Sequence, residues 1–360
     1  MQSRILVILM PVLGDVLLGT PLLRALHRHF PESEIDVLVR RSCATALEGN
    51  PDVSRIIEST KHPSFREYTD LVWRLLRRYD LAVSNALSDR AAIYAFIAAR
   101  KRVTWVDPGS QGFGWKRRAF QRWSTDPLNT PSCHPLQMNQ RIARLLELPY
   151  DGQLVLPAAA DCESRVHKLL GTPDHRRLAI LHPTASAPYK HWHRKGWLEL
   201  ACGLRERGYR LVVTGGPGAA ERAYLDELFA GTPDTVIAAG HLRLGDLRAL
   251  FARAHAFVGV DTSITHMAAG SGLPTVVLFG PEDPRVWAPW PRSNDPWQYP
   301  DYPQRGDSRA GNVMLLHSSL PCVPCRKKGC DNRDNSRTEC LDEIQANRVL
   351  GAIDSLMARK

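Results

Sequence analysis

Short aliphatic runs alternate with helix-period patterns twice along this chain, and that alternation narrows the fold more than any other feature. In the first series, residues 5–9, 35–39, 81–86 and 103–106 are read as strands, with a helix from about 15 to 30 after the first. The second series predicts strands at 178–181, 210–214, 235–238, 256–260 and 275–279, separated by helices at 197–207, 219–229, 244–253 and 264–271. Strand–helix–strand repetition gives a parallel sheet, so the fold class is α/β with two doubly wound domains. The expected boundaries are 1–170 and 171–340, with a closing helix in 341–360 free to pack back on the first domain. Ligands of such sheets bind at the carboxyl ends of the strands, so two such domains in tandem imply a central cleft there.

Lysine and arginine outnumber aspartate and glutamate 47 to 37, a formal net charge of +10. That excess suits an anionic partner: a diphosphate, a phosphorylated glycolipid or an acidic membrane face. Part of it lies in short clusters, among them Lys116-Arg117-Arg118, within a glycine- and proline-rich stretch near 107–135 that reads as a long basic loop. No apolar stretch approaches the ~20 residues that span a bilayer. The run after Arg4 lacks a small-residue cleavage site, so a cytosolic or peripherally bound protein is expected. Cys43, Cys133, Cys162 and Cys202 are scattered, as expected of reduced thiols. Cys322, Cys325, Cys330 and Cys340 are clustered, the first two at zinc-ligand spacing. A metal site and four free thiols stand equal there. A metal at four thiolates, zinc or iron, would be structural, since no coordination position stays open for chemistry.

Two segments place polar residues where a predicted strand gives way to a helix. Gly14-Asp15 follows the first strand. The plain reading of Asp15 is a helix N-cap; the functional one is a general base that takes a proton from an attacking hydroxyl. In the second series, Asp261-Thr262-Ser263 has the same placement, with His266 one turn further on. First-turn amides and the positive helix end suit a diphosphate, Thr262 and Ser263 would donate to its oxygens, and Asp261 would accept from sugar hydroxyls. For His266 the plain reading is a packed core residue. Thr184 and Ser186 follow the strand that opens the second series, and Lys190 is the candidate cation for the diphosphate, set against a plain surface lysine. The segment Gly215-Gly216-Pro217-Gly218 approaches the dinucleotide fingerprint, but Glu221 stands at its third glycine position. Glu221 is read either as a ribose-binding acid or as an ordinary first-turn acid.

Together with Thr20-Pro21-Leu22-Leu23-Arg24, Asn50-Pro51-Asp52-Val53, His266-Met267-Ala268-Ala269 and Leu278-Phe279-Gly280-Pro281-Glu282-Asp283-Pro284, these segments resemble the lipopolysaccharide heptosyltransferases of glycosyltransferase family 9. The cysteine cluster resembles a tail of some members, heptosyltransferase III among them. The resemblance implies a GT-B architecture, two Rossmann-like domains facing a cleft, with the acceptor on the first and ADP-heptose on the second. It implies inverting transfer to an anionic lipopolysaccharide inner core, with no cofactor required for catalysis. By position, Asp15 matches the family's base, Lys190 its diphosphate-contacting lysine, and Asp261, Thr262 and His266 its donor-site residues. Gly14, Lys116, Arg117 and Arg118 are expected on the acceptor side. An enzyme of this kind belongs in the cytoplasm, at the cytoplasmic face of the inner membrane. Leu9 and Ser263 depart from the pattern, since many members carry a cation and a glycine there.

Three other readings are open: a transferase of the same fold using another nucleotide sugar or a protein acceptor, a nicotinamide-dependent oxidoreductase, and a nucleic-acid-binding protein. The broken glycine fingerprint disfavours the second. The third lacks any aromatic-basic repeat, so no nucleic acid is expected as a partner.

Overall fold

The computed structural model describes residues 3–9, 12–86, 88–104, 133–171, 174–293, 295 and 300–358. The chain forms two compact units, Met1–Pro157 and Ala158–Lys360.

In the first unit, β1 (Arg4–Ile8), β2 (Glu34–Arg40), β3 (Arg55–Ser59), β4 (Tyr79–Ser84) and β5 (Ala99–Thr104) form a parallel sheet in the order β3-β2-β1-β4-β5. Strand order reverses between β1 and β4, which is where open sheets of this kind bind ligands. Because helices cover both faces, β1 is buried almost throughout and reads as an unbroken aliphatic run. The helix expected from about 15 to 30 is two helices, Leu13–Leu18 and Thr20–His29. Gly19 separates them, and a Cβ there would lie 2.7 Å from Leu9 Cδ2, so a side chain at this turn would push Leu9 aside at the strand end. Pro21, at the start of the second helix, fits the first turn, where its missing amide hydrogen costs nothing. β3 and the helix Phe65–Leu75 escape the sequence pattern. β3 is an edge strand with Ile57 as its buried aliphatic, too little for a period to register.

The second unit holds β6 (Arg177–His182), β7 (Tyr209–Val213), β8 (Thr235–Ile237), β9 (Ala256–Val260), β10 (Thr275–Phe279), β11 (Ser308–Ala310) and β12 (Val313–His317), in the order β11-β12-β10-β9-β6-β7-β8. β11 is antiparallel to β12 and the other pairings are parallel. The direction of winding reverses between β6 and β9. Trp192 and Trp197 meet edge-on at 5.2 Å within its core.

Two boundaries differ from the sequence expectation. The helix Cys162–Leu170 belongs to the second unit, because Arg165 pairs with buried Asp246 at 3.0 Å and Arg210 holds the Leu170 carbonyl at 2.6 Å. The C-terminal helix Ala346–Met357 also stays there: Val349, Ile353 and Leu356 complete its core, and Trp192 Nε1 donates to the Ile344 carbonyl. Among the described residues no helix is long and apolar enough to cross a membrane.

Candidate active site

In the first unit, Asp15 stands at the strand-order reversal, just beyond β1. It is not the N-cap. Val12 takes that position with extended backbone, and Asp15 lies inside the first turn of Leu13–Leu18, where its carboxylate accepts from the Val12 amide. Burial pushes its pKa up to about 6, and the Val12 hydrogen bond only partly opposes this. A carboxyl held near neutrality is suited to taking and releasing protons. Gly14 shares the same short helix and is partly buried.

In the second unit, four adjacent strands deliver polar residues to one edge of the sheet. Asp261 follows β9, and Thr262 caps the helix Ser263–Ser271, accepting from the Thr265 amide at 3.4 Å. That cap leaves the Ser263 and Ile264 amides at the positive end of the helix, ahead of its first backbone bond, His266 N–H to the Thr262 carbonyl at 3.3 Å. Lys190 closes a single turn, Pro188–Lys190, in the loop after β6, and its Nζ lies 2.6 Å from Asp261 Oδ2. This pair spans the reversal between β6 and β9. Burial works to lower the Lys190 pKa, but the Asp261 carboxylate outweighs it and the net shift is upward. His266 is buried, and desolvation pushes its pKa down to about 4, with Asp261 opposing and Lys190 assisting. It is therefore a neutral imidazole at the base of the pair.

Glu282, after β10, also faces Lys190 and Asp261, and burial raises its pKa while Lys190 pulls it down. Its loop is fastened by buried Asp283, which takes Arg285 and Arg326 each at 2.8 Å. On the other side of Lys190, Thr184 and Glu221 form a second cluster. The Thr184 hydroxyl donates to Glu221, whose Oε1 also accepts the Gly216 amide at 2.8 Å. A Cβ on Gly216 would come within 2.6 Å of Glu221 Oε2, so glycine serves here to admit a carboxylate. Nearby His182, bonded to Thr214 at 2.9 Å, is held neutral by burial, its pKa about 4.

A sequence model described as Glycosyltransferase family 9 (heptosyltransferase) matches residues 70–332. The chain belongs to this family. It is a glycosyltransferase. It is 28% identical over 334 residues to lipopolysaccharide heptosyltransferase 3 of Escherichia coli, covering 86% of this chain and 93% of that one. The structure of E. coli ADP-heptose lps heptosyltransferase II superposes with a TM-score of 0.72 at 21% identity, over 99% of both chains. A family 9 glycosyl transferase from Veillonella parvula DSM 2008 gives a TM-score of 0.79 at 19% identity, covering 99% and 98%. These structures confirm the GT-B class for the two α/β units.

Within this family 9 transferase, the second unit gathers Lys190, Asp261, Thr262, Ser263, His266, Thr184 and Glu221 along one sheet edge. Ser186 is exposed on the loop between Thr184 and Lys190. Lys116, Arg117 and Arg118 lie outside the described residues. Glu282 escaped the sequence analysis as a site residue, although its motif was quoted. No local signal marks it, because only the β9–β10 pairing brings it beside Asp261.

Cys322, Cys325, Cys330 and Cys340 are free thiols, and among the described residues no three His, Cys, Asp or Glu side chains group so as to hold an ion. The segment braces the loops around the site. The Arg326 amide donates to the Pro281 carbonyl at 2.9 Å, and the Thr338 hydroxyl donates to the Tyr189 carbonyl at 2.6 Å, beside Lys190.

Proposed function

We propose that this enzyme moves a heptose from ADP-heptose to a hydroxyl of the lipopolysaccharide inner core, with inversion and without an essential metal. The donor class and the acceptor class follow the names of its relatives, lipopolysaccharide heptosyltransferase 3 and ADP-heptose lps heptosyltransferase II. The observation that carries the chemistry is the Lys190–Asp261 pair beside the amide end of Ser263–Ser271.

The donor diphosphate takes the place beside Lys190, with its oxygens on the Ser263 and Ile264 amides and the Thr262 hydroxyl. Thr184 and Glu221 hold the nucleoside end through hydrogen bonds to hydroxyls. Asp15 removes the proton of the acceptor hydroxyl, and that oxygen attacks the anomeric carbon from the face opposite the diphosphate. The glycosidic bond to phosphate breaks, and its electron pair leaves with ADP. Lys190 and the helix amides neutralise the charge that develops there, a role a metal ion would otherwise fill. The lipid-linked acceptor implies work at the cytoplasmic face of the inner membrane, with peripheral attachment.

Asp15→Ala tests the assignment. The variant should keep its affinity for ADP by calorimetry and lose sugar transfer, followed as ADP release. Transfer at the parental rate would remove Asp15 from the mechanism.

A further inference from the structure

The helix Phe65–Leu75 starts on a capping box, in which Ser64 and Glu67 each bond the other's backbone amide. It buries Leu71 and Leu75 against the first unit's core. Its other side is unusual for a helix facing water. Phe65 is 85% exposed, Trp73 69% and Leu76, just past its end, 43%. At 100° per residue these three fall within about 80° of one another, roughly opposite the buried pair. Large aromatics grouped on an open face mark a surface that meets a partner.

The charges of the segment 61–78 choose the partner. Lys61, Arg66, Arg74, Arg77 and Arg78 are all exposed, against Glu67 and Asp70, a local balance of 5 − 2 = +3. The Glu67 carboxylate is folded back on Ser64. Among the described residues, Arg66, Arg74 and Arg78 have no carboxylate partner. Phenylalanine and tryptophan set among arginines suit the headgroup boundary of an anionic bilayer, where the rings enter the acyl margin and the guanidinium groups stay on the phosphates. A second copy of the chain fits poorly, because a two-fold contact would place +3 against +3.

We propose that the outward face of Phe65–Leu75 is the surface by which this protein docks on an anionic lipid membrane. This rests on the lipid-linked acceptor proposed above and names the surface that reaches it.

Vesicle sedimentation of the full chain tests the proposal. Phosphatidylcholine vesicles containing phosphatidylglycerol should pellet the protein and pure phosphatidylcholine vesicles should not. Phe65→Ser with Trp73→Ser should weaken pelleting about tenfold or more. Arg74→Gln with Arg78→Gln should weaken it about fivefold per charge and flatten its salt dependence. Both variants alter exposed residues, so melting temperature and calorimetric ADP affinity should match the parent. If the parent pellets and both variants pellet equally well, this face is refuted while membrane attachment stands. A parent that pellets with no vesicle refutes attachment together with the face, leaving the transferase chemistry to the Asp15→Ala assay. A concentration-dependent dimer abolished by Phe65→Ser with Trp73→Ser would assign the face to a second copy and overturn the proposal.

Discussion

Lys190 Nζ and Asp261 Oδ2 lie 2.6 Å apart, joined across the point where the second sheet reverses its winding, with side-chain exposures of only 23% and 10%. The lysine has a carboxylate partner, and the proposed donor would bring a diphosphate to compete for the same ammonium. In the proposed mechanism Asp261 is then released toward the sugar.

Lys190→Ala should lower turnover by about 10²–10³-fold, the usual cost of removing one preorganised group that stabilises developing negative charge. It also strands the Asp261 carboxylate, at about 1–3 kcal/mol of stability. Steady-state ADP release and urea unfolding measure the two effects. A variant that loses stability but keeps its turnover would make Lys190 a structural residue.

The Asp15 carboxyl, pushed up to about 6 from 3.8, predicts two pH profiles. Transfer should rise with pH through about 6 and then level, because only the ionised form accepts the proton. Stability should move the other way. Between about 4 and 6 the folded protein keeps a proton that the unfolded chain has lost, so stability falls across that window. Asp15→Asn, neutral at every pH, should remove the slope and be more stable than the parent at pH 8 by on the order of 3 kcal/mol. Denaturant unfolding at pH 4 and pH 8 tests the sign, and a flat parental profile would refute the buried carboxyl.

Gly216 and Gly218 lie two residues apart and should respond in opposite ways to alanine. A Cβ on Gly216 meets Glu221 Oε2 at 2.6 Å, whereas one on Gly218 meets nothing within 4 Å. Gly216→Ala should displace the Glu221 carboxylate from Thr184 and weaken calorimetric binding of ADP about tenfold, the worth of one or two hydrogen bonds. Gly218→Ala should bind as the parent does. Equal behaviour of the two would separate Glu221 from the nucleotide.

The residues legible in the sequence were those whose role is local. Asp261 and Thr262 follow a strand of five buried residues and open a helix, so periodicity and capping chemistry place them without a fold. Asp15 is placed after β1 by the sequence, and of its two readings the structure removes the cap, because that position belongs to Val12, a residue with no capping side chain. Glu282 depends on β10 lying beside β9, a pairing that no local pattern encodes. β11 and β12 lie in a proline-rich stretch and gain their strand character from the edge of a sheet laid down by residues far earlier in the chain. The C-terminal helix was found by its period, but which unit it completes was not, since an apolar stripe does not say what covers it.

Glu282 adds a second acid beside Lys190, which opposes an incoming diphosphate. Glu282→Gln should therefore tighten ADP binding at pH 8, by about three- to tenfold for a charge several ångströms away at intermediate dielectric. The gain should shrink as pH falls and the parental carboxyl protonates above its ordinary range, as burial dictates. Calorimetric titration with ADP across pH gives the answer. Weaker ADP binding in the variant would mean that Glu282 holds the nucleotide directly.

The cysteine segment offers a contrast between shielded and open thiols. Cys340 is buried, and burial followed by the neighbouring Cys325, Cys330 and Cys322 thiols pushes its pKa up to about 12, so almost none is thiolate at pH 8. Cys322 and Cys330 are exposed. Alkylation at pH 8 followed by peptide mass mapping should modify Cys322 and Cys330 first and leave Cys340 untouched until the chain unfolds. The same preparation should contain less than one equivalent of zinc or iron and keep its melting temperature after treatment with a chelator. A bound metal would do the opposite, tying up four thiolates, protecting all of them alike and lowering stability on its removal. One equivalent of metal with uniform protection would show that the free chain's arrangement closes around an ion, and the segment's bracing of Lys190 through Thr338 and Tyr189 would then depend on that ion.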